Sequence, residues 1–220
     1  MNYLILPSLL SADVTRLGDE VDAVLKAGAD YIHFDVMDNH YVPNLTFGSL
    51  FCDALVKRDP NILIDVHLMV QPVDALIEAF AKAGAKRISI HQDASIHLDR
   101  SLQLIRDLGC EAGLVFNPAT SLELLPWCIH HLSFVLVMTV NPGFGGQKLI
   151  PSVINKIKQI HTLYPNLNIC IDGGVSIENI ANLAQAGANQ FVAGSAVFNS
   201  SDYQETINKM RAQLASVHKG

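Results

Sequence analysis

Short apolar runs rich in β-branched residues recur along the chain and alternate with segments of helical periodicity. Eight of these runs are typical of buried strands, which the pattern predicts at residues 3–6, 31–37, 62–69, 87–90, 113–116, 134–140, 167–171 and 190–193. Intervening segments repeat apolar residues at helical spacing at residues 14–27, 73–83, 98–108, 153–163 and 177–186, with weaker stretches after residues 47 and 121. Strand and helix are therefore predicted to alternate throughout the chain.

Glycine follows the end of several predicted helices and precedes the next strand. The tripeptide Ala-Gly-Ala surrounds Gly28, Gly84 and Gly187, and Leu-Gly-Cys surrounds Gly109 as a fourth variant. A glycine in this place can adopt the left-handed conformation that ends a helix. Each of the four is predicted to turn the chain from a helix into a strand.

Eight alternations of strand and helix, without a linker or a shift in composition, favour an α/β fold with one closed (β/α)8 TIM barrel over residues 1–220. A doubly wound open sheet is the alternative that the pattern leaves open. The length suits one domain, since α/β barrels commonly have about 200 to 250 residues. In a barrel, polar side chains at the carboxyl ends of the strands form the functional site.

The composition excludes several classes of protein. The chain of 220 residues has 50% hydrophobic and 16% charged residues and a mean hydropathy of +0.27, which excludes a disordered chain, a collagen and a coiled coil. Its 15 Lys and Arg residues against 21 Asp and Glu residues give a net charge of -6. Because no basic run is present either, nucleic acid is not an expected partner.

The first residues argue against export and against membrane insertion. No positive charge precedes Arg16, and the first apolar run stops at Pro7, which fits neither a signal peptide nor a membrane span. The four cysteines lack CxxC spacing and suit reduced, mostly buried thiols. They are Cys52, Cys110, Cys128 and Cys170. We therefore expect a soluble cytoplasmic protein without a membrane partner.

Polar residues alternate with apolar ones at the carboxyl ends of the second, third and seventh predicted strands. Because strand side chains alternate between two faces, the polar residues of each strand point the same way. The residues on these faces are His33, Asp35 and Met37, then Asp65, His67 and Met69, and finally Asp172. The inward faces of a barrel converge, so His33, Asp35, His67 and Asp172 are predicted to meet around one point.

Two imidazoles and two carboxylates form a donor set that suits a divalent metal. Any one of these residues alone would more often be a hydrogen-bonded part of the barrel core. Together they favour a metal, because burying two carboxylates without a positive partner is costly. Asp65 lies two residues deeper than His67 and is expected to support the site as a hydrogen-bond acceptor. One divalent ion per subunit is expected, and zinc, ferrous iron, manganese and cobalt all suit this set.

Methionines and glycines mark the same strand ends. Met37, Met69 and Met138 either fill gaps in the core or give a carbanion-forming site a wall without exchangeable protons. Glycine-rich loops follow the sixth, seventh and eighth strands, at residues 141–147, 173–174 and 194–195. Barrels commonly bind phosphate at the loops after the seventh and eighth strands, and a glycine-rich loop is as often only a tight turn.

Seven motifs are spread over nearly the whole chain. They are PSLLSAD at residues 7–13, HFDVMD at 33–38, VPNLTFG at 42–48, DVHLMV at 65–70, VNPGFGGQ at 140–147, DGGV at 172–175 and AGSAVF at 193–198. Together they resemble the ribulose-phosphate 3-epimerase family, a group of ribulose-phosphate-binding barrels of the pentose phosphate and Calvin pathways. The chain departs from the family at residues 38–41, where it has DNHY and the family more often has DGHF.

The resemblance implies roles that spacing alone does not. His33, Asp35, His67 and Asp172 would hold the metal, and Asp35 and Asp172 would also be the two acid/base groups on opposite faces of the substrate. Ser8 would contact the sugar, the methionines would cap the reactive carbons, and the glycine-rich loops would bind the phosphate. The implied substrate-binding set is Ser8, Met37, His67, Met69, Met138, Gly143, Phe144, Gly145, Gly146, Asp172, Gly173, Gly174, Gly194 and Ser195.

The implied reaction inverts C3 of D-ribulose 5-phosphate to give D-xylulose 5-phosphate through a 2,3-enediolate. A D-allulose 6-phosphate 3-epimerase is the alternative within the same class of barrel. A lyase or aldolase is a second alternative, but no predicted strand end offers the lysine that a Schiff base needs. A non-catalytic sugar-phosphate sensor is a third, and it would need the phosphate loops without paired carboxylates.

The resemblance also bears on assembly. Members of the family form dimers and hexamers, and the apolar composition favours a homo-oligomer without choosing between the two. Seven further histidines are expected to be solvated or to cap helices. They are His40, His91, His97, His130, His131, His161 and His218.

Overall fold

The computed structural model describes residues 3–217, in which eight parallel strands form one sheet. The strands are β1 (Leu4–Pro7), β2 (Ile32–Met37), β3 (Ile64–Met69), β4 (Arg87–His91), β5 (Glu111–Phe116), β6 (Phe134–Met138), β7 (Asn168–Asp172) and β8 (Gln190–Ala193). Neighbours follow the order β1-β8-β7-β6-β5-β4-β3-β2, and a bridge between Ser8 and His33 brings β1 alongside β2. The predicted barrel is confirmed as nearly closed, and the doubly wound alternative is wrong.

Helices alternate with these strands. They are α1 (Leu17–Lys26), α2 (Ser49–Arg58), α3 (Asp74–Lys82), α4 (Leu98–Asp107), α5 (Leu125–Cys128), α6 (Val153–Leu163), α7 (Ile180–Gln185), α8 (Ser195–Phe198) and α9 (Tyr203–Ser216). Short 3-10 helices span Leu9–Ser11, Val14–Arg16 and Ile129–His131. Across residues 3–217, each helix is too short or too polar to cross a membrane.

The eight predicted strands are all present, with ends that shift by at most two residues. The main difference from the prediction is α9, a helix after the last strand that was not predicted. Its buried face carries Ile207, Met210 and Leu214 at helical spacing, and Asp202 caps its start by accepting a hydrogen bond from the Glu205 N–H at 2.9 Å. The sequence signal for this helix was therefore present.

Buried apolar side chains form two main layers. The larger layer lies between the strands and the helices and includes Phe34 and Val66, which point out of the barrel. The smaller layer fills the barrel interior and includes Leu6, Val115 and Leu136. Because neighbouring side chains on a strand point to opposite faces, one strand supplies both layers and carries the polar site residues inward.

The four glycines at the predicted helix exits all have positive φ, as expected. Gly28 and Gly84 have a φ of 96°, and Gly187 and Gly109 have φ values of 115° and 82°. At Gly187 a Cβ would also lie 2.4 Å from the Cβ of His161. A side chain there would be strained by both the backbone and its neighbour.

The segment that departs from the family pattern keeps a tight turn. Asn39 has a φ of 58°, in the left-handed region where asparagine is better tolerated than most residues other than glycine. Asp38 Oδ1 accepts hydrogen bonds at 2.8 Å from the backbone N–H groups of His40 and Tyr41, and its Oδ2 accepts one at 2.8 Å from the N–H of Gln71. Asn39 thus adopts a left-handed conformation that glycine adopts without a steric cost.

Candidate active site

Strand register places the predicted site residues in adjacent rows inside the barrel. The pairs are His33 with Asp65, Asp35 with His67 and Met37 with Met69 between β2 and β3, and Met138 with Asp172 between β6 and β7. All eight side chains belong to buried residues. Their rows follow from the two-residue period of the strands, which sends every second side chain inward.

His33, Asp35, His67 and Asp172 converge in the barrel interior, where one donor atom from each lies within 4.8 Å of the others. Asp35 Oδ1 is 3.4 Å from His33 Nε2 and 3.5 Å from His67 Nδ1. Asp172 Oδ2 is 3.6 Å and 3.5 Å from the same two nitrogens. The structure therefore brings together the four residues that the strand pattern selects.

The donor atoms of this tetrad fit a divalent metal. Zinc bonds of roughly 2.0 to 2.2 Å in a tetrahedron place neighbouring donors about 3.4 Å apart, close to the four separations above. His33 Nε2 and His67 Nδ1 are buried and have no hydrogen-bond partner in the described structure. Buried polar atoms are normally paired, so two orphaned nitrogens facing two carboxylates mark the place for a cation.

Burial and charge act in opposite directions on these groups. Burial disfavours the ionised form of Asp35, but the neighbouring His33 and His67 hold its pKa well below the usual value. Burial likewise favours a neutral His33, yet Asp35 and Asp65 raise its pKa well above the usual value. Protons and a divalent cation therefore compete for the same donor atoms.

Ser8 and Thr46 hold Asp35 in place. Ser8 Oγ donates to Asp35 Oδ2 at 2.5 Å, which leaves Oδ1 directed at the imidazoles. Thr46 Oγ1 donates to the backbone oxygen of Asp35 at 2.5 Å and accepts from the N–H of Met37 at 3.0 Å. Sequence reasoning did not single out Thr46, although it lies within the VPNLTFG motif.

Asp65 contacts one imidazole of the tetrad and links His33 to Arg87. Its Oδ2 lies 2.6 Å from His33 Nδ1, and its Oδ1 accepts from Arg87 Nε at 2.7 Å. Burial opposes ionisation of Asp65, but the Arg87 guanidinium and His33 hold its pKa well below the usual value. These contacts match the supporting position predicted for Asp65. Arg87 was not predicted, although it is the first of the β4 residues whose side chains point into the barrel.

His91, on β4, supports the second imidazole. Its Nε2 lies 2.8 Å from His67 Nε2, and the residue is fully buried. The expectation that His91 is solvated or caps a helix is wrong, because the inward face of β4 carries it into the barrel beside His67. Burial, together with the nearby His67, lowers the pKa of His91 well below its usual value.

A cavity opens beside the tetrad at the carboxyl ends of the strands. Asp35 and every residue of the implied substrate-binding set except His67 line it, and Ser11, which sequence reasoning missed, lines it as well. His33 and His67 are fully buried and do not line the cavity, so the carboxylates rather than the imidazoles face it. Of the described residues that line it, none is lysine or arginine. A Schiff-base lysine is therefore absent from this lining.

Glycines let the loops after β6, β7 and β8 pack closely at one end of the cavity. Gly174 has a φ of 65°, and a Cβ there would lie 2.7 Å from the backbone nitrogen of Leu149. A Cβ at Gly194 would lie 2.7 Å from Ser11 Oγ. Side chains at either position would push these loops apart and narrow that end of the cavity.

The loop after β6 is braced from two sides. Gln147 Nε2 donates to the backbone oxygens of Asn141 and Phe144 at 2.7 Å and 2.9 Å. Asn44 Nδ2 donates to the backbone oxygen of Gly143 at 2.9 Å, which ties this loop to the loop after β2. The Phe144 side chain remains largely exposed at the mouth of the cavity.

Comparisons with known proteins show the family of this chain. The family model described as "Ribulose-phosphate 3 epimerase family" matches residues 4–198. This chain therefore belongs to the ribulose-phosphate 3-epimerase family. Ribulose-phosphate 3-epimerase of Escherichia coli K12 is 51% identical over 219 residues, which cover 98% of this chain and 97% of the relative. Ribulose-phosphate 3-epimerase 1 of Cupriavidus necator is 56% identical over 217 residues, covering 93% of this chain and 90% of the relative.

A structural comparison bears on the fold. The crystal structure of KGPDC from Streptococcus mutans is similar, with a TM-score of 0.73 at 12% sequence identity and 99% coverage of both chains. At this identity the likeness concerns the barrel and not the chemistry. Family membership confirms the resemblance that the seven motifs carry, and the retained barrel shows that the family's fold accommodates the DNHY segment of this chain.

Proposed function

We propose that this protein is a metal-dependent epimerase that interconverts D-ribulose 5-phosphate and D-xylulose 5-phosphate by inversion at C3. The observation that carries the proposal is the pair of carboxylates, Asp35 and Asp172, which share two imidazole neighbours and line one cavity. Membership of the ribulose-phosphate 3-epimerase family supports the same activity. The alternative, an epimerase of D-allulose 6-phosphate, is not favoured, because these relatives are named for the pentulose phosphate.

His33, Asp35, His67 and Asp172 would hold one divalent ion per subunit. When bound, such an ion acts as a Lewis acid that stabilises negative charge on the C2 and C3 oxygens of the sugar. The two orphaned imidazole nitrogens support this assignment, since neither has a hydrogen-bond partner among the described residues. The donor set suits zinc, ferrous iron, manganese and cobalt, and zinc prefers the tetrahedral arrangement of nitrogen and oxygen that the separations fit.

Asp35 and Asp172 would move the proton. Removal of the C3 proton from one face leaves a 2,3-enediolate, and return of a proton to C3 from the other face inverts the centre. One carboxylate cannot reach both faces, so the reaction needs two. His33 and His67 hold the pKa of Asp35 down against the effect of burial, which keeps Asp35 in the ionised form that a general base needs. In the reverse direction the two residues exchange roles.

The methionines and Ser8 would shape the site around C3. Met37, Met69 and Met138 lie at the strand ends that line the cavity, and each is at least 97% buried. Thioethers carry no exchangeable proton, so they shield an enediolate from protonation by water. Ser8 Oγ contacts Asp35 Oδ2 and also lines the cavity, which places its hydroxyl where it can bond a sugar hydroxyl beside the base.

The loops after β6, β7 and β8 would bind the phosphate. Residues 143–146, Gly173, Gly174, Gly194 and Ser195 line the same cavity as the carboxylates. No lysine or arginine belongs to the described lining, so backbone N–H groups would provide the contacts with the anion. Glycine suits these positions because it lets the backbone approach a ligand closely.

We also propose that the protein acts in the cytoplasm as a single-domain homo-oligomer, either a dimer or a hexamer. Four free, buried cysteines support a reducing compartment. Light scattering coupled to size-exclusion chromatography measures the mass of the assembly, and a particle of 24.0 kDa would contradict the oligomer.

A coupled assay on D-ribulose 5-phosphate tests the proposed activity. The purified protein is measured as isolated, after chelation with verified removal of metal, and after addition of zinc, ferrous iron, manganese or cobalt singly. We expect activity to disappear on chelation and to return with a divalent ion, and the extent of return ranks the metals. Turnover that persists in verified metal-free protein would contradict the metal-dependent mechanism. A comparison of kcat/KM on D-allulose 6-phosphate tests the choice of substrate.

A further inference from the structure

The His91 imidazole lies between two other rings inside the barrel. The ring centroids of His91 and His67 are 5.0 Å apart with 27° between the ring planes, and those of His91 and Tyr41 are 4.7 Å apart. Tyr41 is itself anchored, because its hydroxyl donates to Asp93 Oδ1 at 2.8 Å and accepts from Asn117 Nδ2 at 3.0 Å. These contacts hold the His91 ring between Tyr41 and His67, while its Nδ1 has no hydrogen-bond partner among the described residues.

The contact between His91 and His67 joins two ring nitrogens, only one of which can be the donor. Their Nε2 atoms are 2.8 Å apart, so one nitrogen carries a proton and the other accepts it. His67 Nδ1 lies 3.5 Å from the carboxylate oxygens of both Asp35 and Asp172, on the side where a metal would bind. A nitrogen that binds a metal carries no proton, so a neutral His67 must carry its proton on Nε2 and donate it to His91.

We propose that His91 is a positioning residue, whose Nε2 accepts the Nε2–H of His67 and so fixes the tautomer and ring orientation of that metal ligand. This inference rests on the proposed metal site. Ligand imidazoles usually donate their second N–H to a carboxylate, a carbonyl or water. His33 follows that pattern through Asp65, at 2.6 Å, whereas His67 uses another imidazole. A carboxylate thus orients the His33 ring, whereas an imidazole orients the His67 ring.

Two substitutions separate the hydrogen bond from the packing. His91→Phe keeps an aromatic ring between Tyr41 and His67 but removes the acceptor nitrogen, and His91→Gln restores an acceptor oxygen at a similar distance from the backbone. Ser89→Ala is the matched control, since Ser89 is a fully buried residue two positions earlier on β4 whose hydroxyl bonds the backbone oxygen of Val66 at 3.4 Å. None of the three variants removes an atom of the tetrad.

The readout is the dissociation constant for zinc, measured by competition with a chromophoric chelator, beside the melting temperature of the metal-free protein. We expect His91→Phe to weaken zinc binding by about 10- to 100-fold. His91→Gln should recover most of that loss, and Ser89→Ala should bind as the wild type does. Wild-type zinc affinity in folded His91→Phe would overturn the proposal, as would equal losses in the phenylalanine and glutamine variants.

A measurement without a substitution provides a second test. In zinc-loaded wild-type protein, long-range ¹⁵N–¹H spectra of the histidine rings report which nitrogen carries the proton. We expect the Nε2–H form of His67 and the Nδ1–H form of His91, and an Nδ1–H form of His67 would overturn the proposal. Both tests read metal binding rather than turnover. A wild-type protein that binds zinc without epimerising the sugar would therefore refute the proposed function alone.

A second cluster of metal-ligating side chains lies outside the barrel. Asp99 is on α4, and His130 and His131 belong to the 3-10 helix Ile129–His131. Asp99 Oδ1 is 2.9 Å from His131 Nε2 and 3.7 Å from His130 Nε2, and one donor atom from each residue lies within 4.8 Å of the others. The two imidazole rings are 4.0 Å apart between centroids. The three donors therefore converge without any rearrangement of the backbone.

We infer that Asp99, His130 and His131 form a second site for a divalent transition metal of the zinc class. The two separations from Asp99 lie on either side of the roughly 3.4 Å edge of a tetrahedral zinc site, and the shorter one is a hydrogen bond that a metal would replace. Two imidazoles with one carboxylate are suitable donors. His130 and Asp99 are largely exposed, so water can complete the shell. The Arg106 side chain donates to the His130 backbone oxygen at 2.8 Å. A bound ion would tie α4 to the segment before β6.

Counting bound zinc tests this second site. In equilibrium dialysis we expect wild-type protein to bind two zinc ions per chain, and His131→Gln and His130→Gln to bind one. His161→Gln, which alters a histidine on α6, is the control and should bind two. One zinc ion in the wild type, two in His131→Gln, or an equal loss in the control would each overturn the inference.

Discussion

Asp65 and His33 contact each other in the barrel interior, where Asp65 Oδ2 lies 2.6 Å from His33 Nδ1. This contact leaves Nε2 of the same ring facing the carboxylates of Asp35 and Asp172, at 3.4 Å and 3.6 Å. The second oxygen of Asp65 accepts from Arg87 Nε at 2.7 Å, so one buried carboxylate orients the His33 ring and neutralises a buried guanidinium. Its removal therefore has two separable consequences.

The substitution Asp65→Asn should destabilise the fold strongly. It leaves the Arg87 guanidinium buried without its counter-ion, which typically costs about 3 to 5 kcal/mol. Urea unfolding of the metal-free proteins at neutral pH measures the loss. The folded-state pKa of Asp65 is depressed, so its contribution is fully present above the unfolded pKa of about 3.9 and disappears as the pH falls below that value. The wild-type advantage over Asp65→Asn should shrink in the same window.

A double variant separates the buried charge from the packing around it. Asp65→Leu combined with Arg87→Met replaces both charges by apolar groups, and its loss of stability should be smaller than that of Asp65→Asn. Equal stability of wild type and Asp65→Asn at neutral pH would show that the pair contributes nothing at this site.

The substitutions Asp35→Asn and Asp172→Asn should each lower kcat by at least about 10²-fold, the usual contribution of one general acid or base. Each amide can neither accept nor return the C3 proton. The fold should survive, because each replacement is nearly isosteric. Initial rates in the coupled assay, measured at saturating metal with the bound metal quantified, check the prediction. Near-normal turnover in either variant would contradict a mechanism with two acid/base residues.

Deuterium exchange provides the control for these two variants. A variant with one intact carboxylate can still remove and return a proton on its own face, so it should exchange the C3 proton of at most one epimer in D₂O without inverting it. The two variants should act on opposite epimers. Exchange of the same epimer by both would place Asp35 and Asp172 on one face of the substrate.

Much of this site is visible in the sequence because strands impose a strict period of two. His33, Asp35 and Met37 alternate with apolar residues, and the closed barrel then brings their inward face toward Asp172 of β7, far away in the chain. The same regularity predicts the eight strands to within two residues at each end. The family motifs imply the catalytic and phosphate-binding roles, which residue spacing alone does not predict.

The buried contacts of Arg87 and His91 could not be predicted from the sequence. Both belong to the inward set of β4, but a buried arginine or histidine contradicts ordinary burial preferences unless its partner is known. The partners Asp65 and His67 lie on β3, and the contact with each depends on side-chain geometry across two strands. The alternation of side chains along a strand predicts that both residues point into the barrel. Their hydrogen bonds can be identified only from the three-dimensional structure.

The substitution Gly194→Ala should weaken substrate binding more than it slows turnover. The added Cβ would lie 2.7 Å from Ser11 Oγ and 3.5 Å from the Cβ of Ser8, at the end of the cavity assigned to the phosphate. We expect KM to rise about tenfold, equivalent to ~1.4 kcal/mol. The inhibition constant of inorganic phosphate should rise in parallel. Gly48→Ala is the matched control, because a Cβ there meets nothing within 4 Å. An unchanged KM in Gly194→Ala would remove this loop from the phosphate site.

All four cysteines should be unreactive in the native protein. Each is buried, and burial raises the pKa of the Cys52 and Cys170 thiols to about 12. Because the thiolate is the reactive form, both burial and the raised pKa slow attack on Ellman's reagent near neutral pH. We expect no rapid labelling of the folded protein and four equivalents after unfolding in guanidinium. Cys110→Ser should reduce the unfolded count to three, which calibrates the assay. Rapid labelling of the folded wild type would mean that a thiol is accessible through a local opening of the barrel.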